Sequence, residues 1–266
     1  MGNFTLGKYI PLDSFVHRLD PRAKIMAMLF MLIAIFFPAG WIGYALIGAA
    51  AVATILLAKL SFGFIWKALK PMLFMLCFLM VVNCLVIKTG TLLIALGPIT
   101  IYSDAVSQTL YIAVRLILMI MITTGLTATT KPLDMTLGIE DLLSPFEKLH
   151  VPSHEIAMLI SIALRFIPDL IEETQRIMKA QASRGVDLAE GKLSEKIMAI
   201  LSLIVPLFVS AFQRAEDLAN AMEARGYAPG EPRTRYKQLQ MKLPDYLWMG
   251  AALMILIVTA VISFRI

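Results

Sequence analysis

The apolar residues of the chain fall into long runs that are separated by short polar segments. From Ile25 to Ala58, only Thr54 interrupts a series of apolar residues, glycines and one proline. A single helix of that length would measure about 51 Å, whereas the hydrocarbon core of a bilayer is about 30 Å thick. Because the sequence Pro-Ala-Gly at 38–40 is typical of a turn, this run predicts two membrane-spanning helices.

Three further apolar runs predict three further spans, at 71–87, 105–128 and 245–264. Pro71 is suited to the first turn of its helix, where an N–H group has no intrahelical partner to lose. Between the third and fourth spans, short apolar stretches flank a Gly-Pro pair at 97–98 and predict a small hairpin on the outer surface.

A segment of mixed polarity, 129–242, lies between the fourth and fifth spans. Its first part, LGIEDLLSPFEKLHV, predicts a short amphipathic helix that ends near Pro152. Ser153 is suited to cap a long helix that runs to Ser183, and a second long helix ends near Arg225. Each long helix is apolar in its first half and charged in its second, so we expect each to begin in the lipid interface and to end in water.

The distribution of basic residues predicts the orientation, because cytoplasmic segments next to spans are enriched in lysine and arginine. With five spans, one side of the membrane receives Lys88 and Arg265. The other side receives Lys8, Arg18, Arg22, Lys24, Lys59, Lys67, Lys70 and Lys131. The N terminus is therefore predicted in the cytoplasm and the C terminus outside.

These elements predict an all-α integral membrane protein with about five transmembrane helices and a cytoplasmic domain of long amphipathic helices. The expected divisions are an N-terminal cytoplasmic or interfacial segment 1–24, four spans in 25–128, the cytoplasmic domain 129–242 and the last span in 243–266. An alternative counts 156–170 and 197–212 as two more spans. It is disfavoured because it would move five basic residues outside, namely Arg176, Lys179, Arg184, Lys192 and Lys196.

Composition supports this class and excludes others. Hydrophobic residues make up 59% of the 266 positions and charged residues 16%, which leaves no room for a second soluble catalytic domain. The sequence contains no G-x-x-x-x-G-K-[ST] phosphate-binding loop. Cytoplasmic loops explain the net charge of +5, so nucleic-acid binding is not implied. We expect a non-catalytic protein with no cofactor of its own.

No metal site is expected either. His150, His154 and Glu155 lie close together in HVPSHE. Because Pro152 interrupts the spacing, the two histidines are not expected to share a helical face.

A short motif occurs twice, each time at the end of a long predicted helix. The copies are Ala182-Ser183-Arg184-Gly185 and Ala224-Arg225-Gly226. Glycine just past a helix adopts the left-handed conformation at little cost, and an arginine before it interacts favourably with the negative end of the helix dipole. The small residue before the arginine lets another backbone approach. Two ordinary helix caps are one interpretation; two docking tips for acidic sockets on a pair of similar partners are the other.

Arg115 is the charge that lies well inside an unbroken apolar run. A charge within the membrane is costly and is by default a candidate for function. We favour a structural role, in which the side chain reaches the interface or pairs with a neighbouring polar group.

Three separated motifs resemble one membrane-protein family. AQASRGVD and MEARGYA resemble its paired Ala-Arg-Gly signatures, SFVHRLDPRAKI at 14–25 is similar to its N-terminal motif, and 129–185 resembles its central block. The family is the transmembrane (T) component of energy-coupling factor (ECF) transporters, which includes membrane subunits of cobalt and nickel importers. The first copy has Ser183 where the second has Ala224; both residues are small.

The resemblance implies a coupling subunit of an ABC importer for vitamins or other micronutrients in a prokaryotic cell membrane. Two cytosolic ATPase subunits would bind ATP, and Arg184 and Arg225 would each dock one of them. The two long helices would transmit ATPase closure to a separate small substrate-binding (S) subunit, with Pro168 and Pro206 as bending points. Arg165 resembles the arginine of the family's Arg-Phe-Ile-Pro motif and is expected to pack between the two helices.

Two alternatives remain. One is the T-type membrane subunit of a dedicated cobalt or nickel importer. The other is a self-sufficient secondary transporter, which needs polar or charged groups near the bilayer midplane. Apart from Arg115 and Asn83, the predicted spans contain little of this kind.

Overall fold

The structure, a computed structural model, describes residues 9–96, 99–145, 153–186, 193–228 and 238–265. Within these ranges the chain is an all-α integral membrane protein with one short β-hairpin. The helices in chain order are α1 (Phe15–Arg18), α2 (Pro21–Phe36), α3 (Gly40–Leu57), α4 (Phe62–Val86), α5 (Ser103–Thr129), α6 (Pro132–Leu143), α7 (Ser153–Ser183), α8 (Leu193–Ala224) and α9 (Leu243–Arg265).

The chain divides into two compact units. The main unit comprises Met1–Ser153 and Leu239–Ile266, and the two-helix unit comprises His154–Gln238. The two-helix unit contains α7 and α8, which have the lengths and end points that the sequence predicts. The predicted cytoplasmic domain 129–242 begins earlier than the two-helix unit, because α6 packs against α2 in the main unit.

Helix α2 is the centre of the main unit and packs against α3, α5, α6 and α9. Asp20 caps its N terminus by accepting a hydrogen bond from the N–H of Arg22, and Pro21 occupies the first helical position. An apolar core surrounds α2 and contains Ala27, Met31, Ala34, Ile35, Tyr44, Ile47, Leu118 and Ala252.

Five helices are long and apolar enough to cross a membrane, judged by length and composition: Gly40–Leu57, Phe62–Val86, Ser103–Thr129, Ser194–Ala224 and Leu243–Arg265. Four of them correspond to the second to fifth predicted spans. The first predicted span corresponds to α2, which has 16 residues and measures about 24 Å. The remaining helix is α8, which the seven-span alternative counts as a span. The orientation of the termini stays a prediction.

The start of the third span differs from the prediction. Pro71 lies inside α4 and not in its first turn. The helix begins at Phe62 because the Ser61 side chain accepts a hydrogen bond from the N–H of Gly63 at 3.3 Å. Proline inside a helix removes one hydrogen bond, a cost of about 3 kcal/mol that tertiary packing has to offset.

The short amphipathic helix also differs from its predicted bounds. It begins at Pro132, whose missing N–H costs nothing in the first turn, and it ends at Leu143. Pro145 has no N–H to donate to the carbonyl of Asp141, so the α-helical hydrogen bonding ends with the bond from Ser144 to Glu140. The predicted end near Pro152 lies outside the described residues.

The hairpin between the third and fourth spans is confirmed. Strand β1 (Leu92–Leu96) pairs antiparallel with β2 (Ile99–Tyr102). The Gly-Pro pair at 97–98 lies outside the described residues, and the side of the membrane on which the hairpin lies stays a prediction.

Candidate functional site

The first arginine motif lies at the C-terminal end of α7. Gly185 follows Arg184 with a φ of +83°. The N–H of Gly185 donates to the carbonyl of Ala182 at 3.0 Å, and the N–H of Val186 donates to the carbonyl of Gln181 at 3.0 Å. These are the two hydrogen bonds of a Schellman motif, which satisfies carbonyls that the end of a helix leaves unpaired.

The second motif repeats this geometry at the end of α8. Gly226 follows Arg225 with a φ of +73°. Its N–H donates to the carbonyl of Glu223 at 2.8 Å, and the N–H of Tyr227 donates to the carbonyl of Met222 at 2.9 Å. Both glycines thus adopt the left-handed conformation that the sequence predicts.

Both motifs present their side chains to the outside of the described chain. Arg184 and Arg225 are exposed, and so are the small residues Ser183 and Ala224 before them. A Cβ atom built on either glycine meets no atom of the described residues within 4 Å, so the space around each tip is open within the described chain. Glycine is therefore required at both positions by the positive φ and not by a lack of space.

Helices α7 and α8 contact each other through polar side chains. Gln181 Nε2 donates to the carbonyl of Ser202 at 3.2 Å. Nearer the N terminus of α7 and the C terminus of α8, Arg214 lies 3.4 Å from Glu173 and 3.8 Å from Asp169. Residues later in α7 contact residues earlier in α8, so the two helices run antiparallel.

The antiparallel arrangement separates the two tips. Arg184 lies just beyond the contact between Gln181 and Ser202, whereas Arg225 lies at the far end of α8. At 1.5 Å per residue, the two arginines are about 40 Å apart along the helix axes. One compact binding site does not reach both tips, so the geometry suits two separate partners.

The other candidates on this pair lie along the helices. Pro168 lies inside α7 and Pro206 inside α8, as a bending role requires. Arg165 lies on α7 and is exposed. Its packing between the helices stays a prediction.

Arg115 occupies a structural position in the main unit. Its Nε donates to the hydroxyl of Tyr44 at 2.8 Å, which joins α5 to α3. The guanidinium carbon lies 5.5 Å from the centroid of the Tyr111 ring and 6.0 Å from that of Phe36. Asn83 likewise joins α4 to α5 by donating to the Thr109 hydroxyl at 2.9 Å. These contacts fit the structural role that we favour for Arg115.

Asp245 is a buried polar residue whose role the sequence did not reveal. One of its oxygens accepts the N–H of Asp20 at 2.7 Å and the other accepts the N–H of Lys242 at 2.7 Å. Asp20 caps α2, and Lys242 precedes the first residue of α9. A single carboxylate therefore satisfies the N-terminal ends of both helices, where negative charge is favourable.

Lys24, which precedes the first long apolar run, is 5% exposed. Its ammonium group donates to the carbonyls of His17 and Thr129 at 3.3 and 3.1 Å. Burial lowers the pKa of Lys24 to about 8, although Asp134, Asp245 and Asp20 oppose the shift. Lys24 thereby joins the N-terminal segment to the end of α5.

His17 is held in its neutral form at the end of α1. Its Nε2 lies 3.1 Å from the carbonyl of Ile10, which only accepts, so Nε2 carries the proton and Nδ1 accepts from the Ser14 hydroxyl at 2.7 Å. Burial lowers the pKa of His17. Both polar groups of the ring are used within this segment.

A metal centre finds no support in the described part of the chain, which contains no group of three or more His, Cys, Asp or Glu side chains placed to hold an ion. His150 lies outside the described residues, so the HVPSHE segment is not fully tested.

The two-helix unit carries an apolar stripe along α8. Its large side chains are exposed within the chain at Ile197, Met198, Ile200, Leu201, Ile204, Val205, Phe208, Val209 and Phe212. In the main unit, α4 exposes a comparable set that includes Phe74, Met75, Phe78, Val81 and Val86. Contiguous apolar surfaces of this kind face lipid or a partner protein.

The fold defines the class of this protein as a multi-pass integral membrane protein, and known relatives specify it as a transport protein. The family model CbiQ, described as cobalt transport protein, matches residues 13–236. Relatives named energy-coupling factor transporter transmembrane protein EcfT include those of three bacteria. That of Macrococcus caseolyticus is 49% identical over 91% of each chain. That of Bacillus subtilis is 42% identical over 99% of this chain and 98% of its own, and that of Listeria innocua is 44% identical over 92% of each.

The chain therefore belongs to this family and is the transmembrane (T) component of an ECF transporter. The family resemblance drawn from the three sequence motifs is confirmed.

Proposed function

We propose that this chain is the coupling subunit of its transporter, linking two cytosolic ABC ATPase subunits to a separate substrate-binding membrane subunit. The ATPase subunits bind and hydrolyse ATP, and this chain performs no catalysis. The transported substrates are vitamins or other micronutrients, and the substrate pocket belongs to the other membrane subunit.

The observation that carries this proposal is the pair of exposed arginine tips, which lie at the C-terminal ends of α7 and α8 and therefore at opposite ends of the antiparallel pair. Each tip is a rigid Schellman turn with one guanidinium beside it. A guanidinium binds a carboxylate through two parallel hydrogen bonds. Because both bonds form only in one relative orientation, the contact is specific for a correctly placed carboxylate. With about 40 Å between the tips, each arginine meets its own ATPase subunit.

The apolar stripe on α8 supports contact with a second membrane protein. Because its large side chains are exposed within this chain, burial against a partner gains roughly 25 cal/mol per Å² of apolar surface. A helix that binds an ATPase at its charged end and a membrane protein along its apolar side is able to pass rigid-body motion between them.

A self-sufficient secondary transporter is the competing function, and the main unit gives it little support. Arg115 and Asn83 are both engaged in contacts between helices. A cavity of about 200 Å³ among α2, α3, α5 and α9 is lined almost wholly by apolar side chains, and the ammonium group of Lys24 beside it donates to backbone carbonyls. A dedicated cobalt or nickel importer is the other alternative, favoured by the description of the family model.

The first prediction concerns the two tips. In a pull-down from mild detergent, the wild-type chain brings down two nucleotide-binding proteins. Arg184→Glu and Arg225→Glu should each reduce the recovered ATPase by about half, and the double variant should lose at least nine-tenths. The reason is that each substitution sets a carboxylate against an acidic socket. The measurement is quantitative mass spectrometry of the eluate.

Arg176→Glu is the matched control, because Arg176 is also an exposed arginine of α7. It should recover both ATPases. A wild-type chain that purifies alone and moves solute into liposomes without ATP contradicts the proposal. If metal ions but no vitamins accumulate in cells that express the complex, the dedicated metal importer is the correct function.

A further inference from the structure

Arg22 makes two contacts that join distant parts of the main unit. Its Nη2 lies 2.8 Å from a carboxylate oxygen of Asp141 on α6. The same nitrogen donates to the carbonyl of Leu239 at 2.9 Å. The side chains of Arg22 and Asp141 are 23% and 20% exposed, so this charge-assisted hydrogen bond is largely shielded from water.

The two partners of Arg22 occupy special places along the chain. Asp141 lies in the last turn of α6, in the part of the main unit that precedes the two-helix unit along the chain. Leu239 is the first residue of the main unit after the chain returns from it. One arginine therefore holds both segments through which the main unit is connected to the two-helix unit.

The base of this contact is rigid. Arg22 lies in the first turn of α2, beside Asp20, which caps that helix and whose N–H is held by Asp245. Asp245 also holds the N–H of Lys242, three residues after Leu239. Helix α6 is fixed close to α2 because Gly138 lets it approach, since a Cβ there would lie 3.1 Å from the Cβ of Pro21.

We infer that Arg22 is a positioning residue that holds the two connections to the two-helix unit at one fixed point, the N terminus of α2. We call the contacts of Arg22 with Asp141 and with the Leu239 carbonyl the Arg22 clamp. The inference rests on the proposed function, since it assigns to the clamp the transfer of force from the arginine tips to the membrane helices. Both contacts share one nitrogen, so neither connection moves away from α2 without breaking a charge-assisted hydrogen bond.

A simple anchoring role for α6 makes a different prediction. If Arg22 only anchors α6, its ion pair with Asp141 matters and its hydrogen bond to the Leu239 carbonyl does not. Loss of the ion pair then lowers the stability of the protein, but the molecules that still fold transport at the wild-type rate. The clamp predicts that a change at Asp141 also releases the returning segment and reduces transport while the complex stays assembled.

The test measures the distance between the two connections directly. Spin labels are attached to Ser144→Cys and Gln240→Cys, two exposed positions next to Asp141 and Leu239, in a full-length chain whose Cys77 and Cys84 are replaced by alanine. In lipid nanodiscs, pulsed electron resonance should give one narrow distance distribution. Asp141→Asn and Arg22→Gln should at least double its width, and the exchanged pair R22D/D141R should narrow it again.

Transport provides the second measurement. Cells that express the complex are given a mixture of radiolabelled vitamins. Uptake should fall at least fivefold in Asp141→Asn and Arg22→Gln, while the amount of ATPase that co-purifies is unchanged. Arg18→Gln is the matched control, because it removes an exposed arginine from the same segment, and it should leave distance and uptake as in the wild type.

The outcomes separate the clamp from the function on which it rests. An unchanged distance distribution in both variants overturns the clamp, and so does wild-type uptake by a variant whose distribution has broadened. Should Arg22→Gln fail to fold, Asp141→Asn decides the matter, since it keeps the arginine. A wild-type chain that recovers no ATPase and imports no vitamin refutes the proposed function, and the distance measurement still decides whether Arg22 holds the two connections.

Discussion

Single buried polar groups hold the ends of several helices together in this protein. The Asp245 carboxylate accepts the N–H groups of Asp20 and Lys242, the residues that precede α2 and α9, and Lys24 donates to two carbonyls from different segments. Buried polar groups are costly unless they are hydrogen-bonded, so each of these side chains specifies which segments meet. The arginine tips are the opposite case, because their side chains are exposed.

Lys24 predicts a specific pH dependence of stability. Its pKa falls from 10.5 in the unfolded chain to about 8 in the folded protein. Between these pH values the unfolded state binds more protons, so the contribution of Lys24 to stability rises with pH, by about 3 kcal/mol in total. The measurement is the midpoint of thermal unfolding in detergent from pH 7 to 10.5. The unfolding midpoint of the wild type, relative to that of Lys24→Met, should increase with pH.

The exposed residue Lys67 supplies the control for this titration. Lys67→Met should follow the wild-type curve throughout the range. If Lys24→Met does the same, the ammonium group is not held in a buried position.

The packing of whole helices depends on small residues as much as on large ones. Gly138 on α6 faces the start of α2, where an added Cβ would lie 3.1 Å from Pro21 Cβ and 3.2 Å from Ile25 Cδ1. Gly250 on α9 has no atom of the described chain within 4 Å of its added Cβ. The two glycines are therefore equivalent in helix propensity and differ in their surroundings.

This difference predicts opposite effects of the same substitution. Gly250→Ala should stabilise the protein by up to about 1 kcal/mol, the difference in helix propensity between the two residues. Gly138→Ala should lack this gain, and Gly138→Val should lower stability by about 1–3 kcal/mol because it overpacks the contact between α2 and α6. Thermal unfolding in detergent measures all three. Equal effects of alanine at both positions would falsify close packing of α6 on α2.

The molecule as a whole combines a main unit of packed apolar helices with an antiparallel amphipathic pair. The length and composition of α8 are sufficient for a membrane span, while its end carries a charged motif. The basic residues next to the spans favour the five-span topology, in which both arginine motifs lie in the cytoplasm. The seven-span alternative places them on opposite sides.

Cysteine labelling distinguishes these topologies. Ser183→Cys and Ala224→Cys are introduced separately into a chain that lacks Cys77 and Cys84. A membrane-impermeant maleimide should label both positions in inside-out vesicles and neither in intact cells. Ser144→Cys, which lies in an exposed part of the main unit after α6, should label from the same side. Labelling of position 183 in intact cells supports seven spans.

The sequence by itself determined the helices and the form of the two arginine tips. Helical runs, caps and left-handed glycines depend on neighbouring residues, so Gly185 and Gly226 were predictable from their local context. Boundaries near proline were less predictable: Pro71 lies within α4, which begins nine residues earlier after the Ser61 cap.

Only the tertiary structure decided which segments meet. Asp20 and Asp245 are 225 residues apart, and Arg22 and Leu239 are 217 apart. No local pattern connects such partners, because both contacts are made to backbone groups, an N–H and a carbonyl, which occur all along the chain. The antiparallel order of α7 and α8 likewise depends on contacts between helices. It is this order that places the two similar motifs at opposite ends of the helix pair, because each follows the C terminus of its own helix.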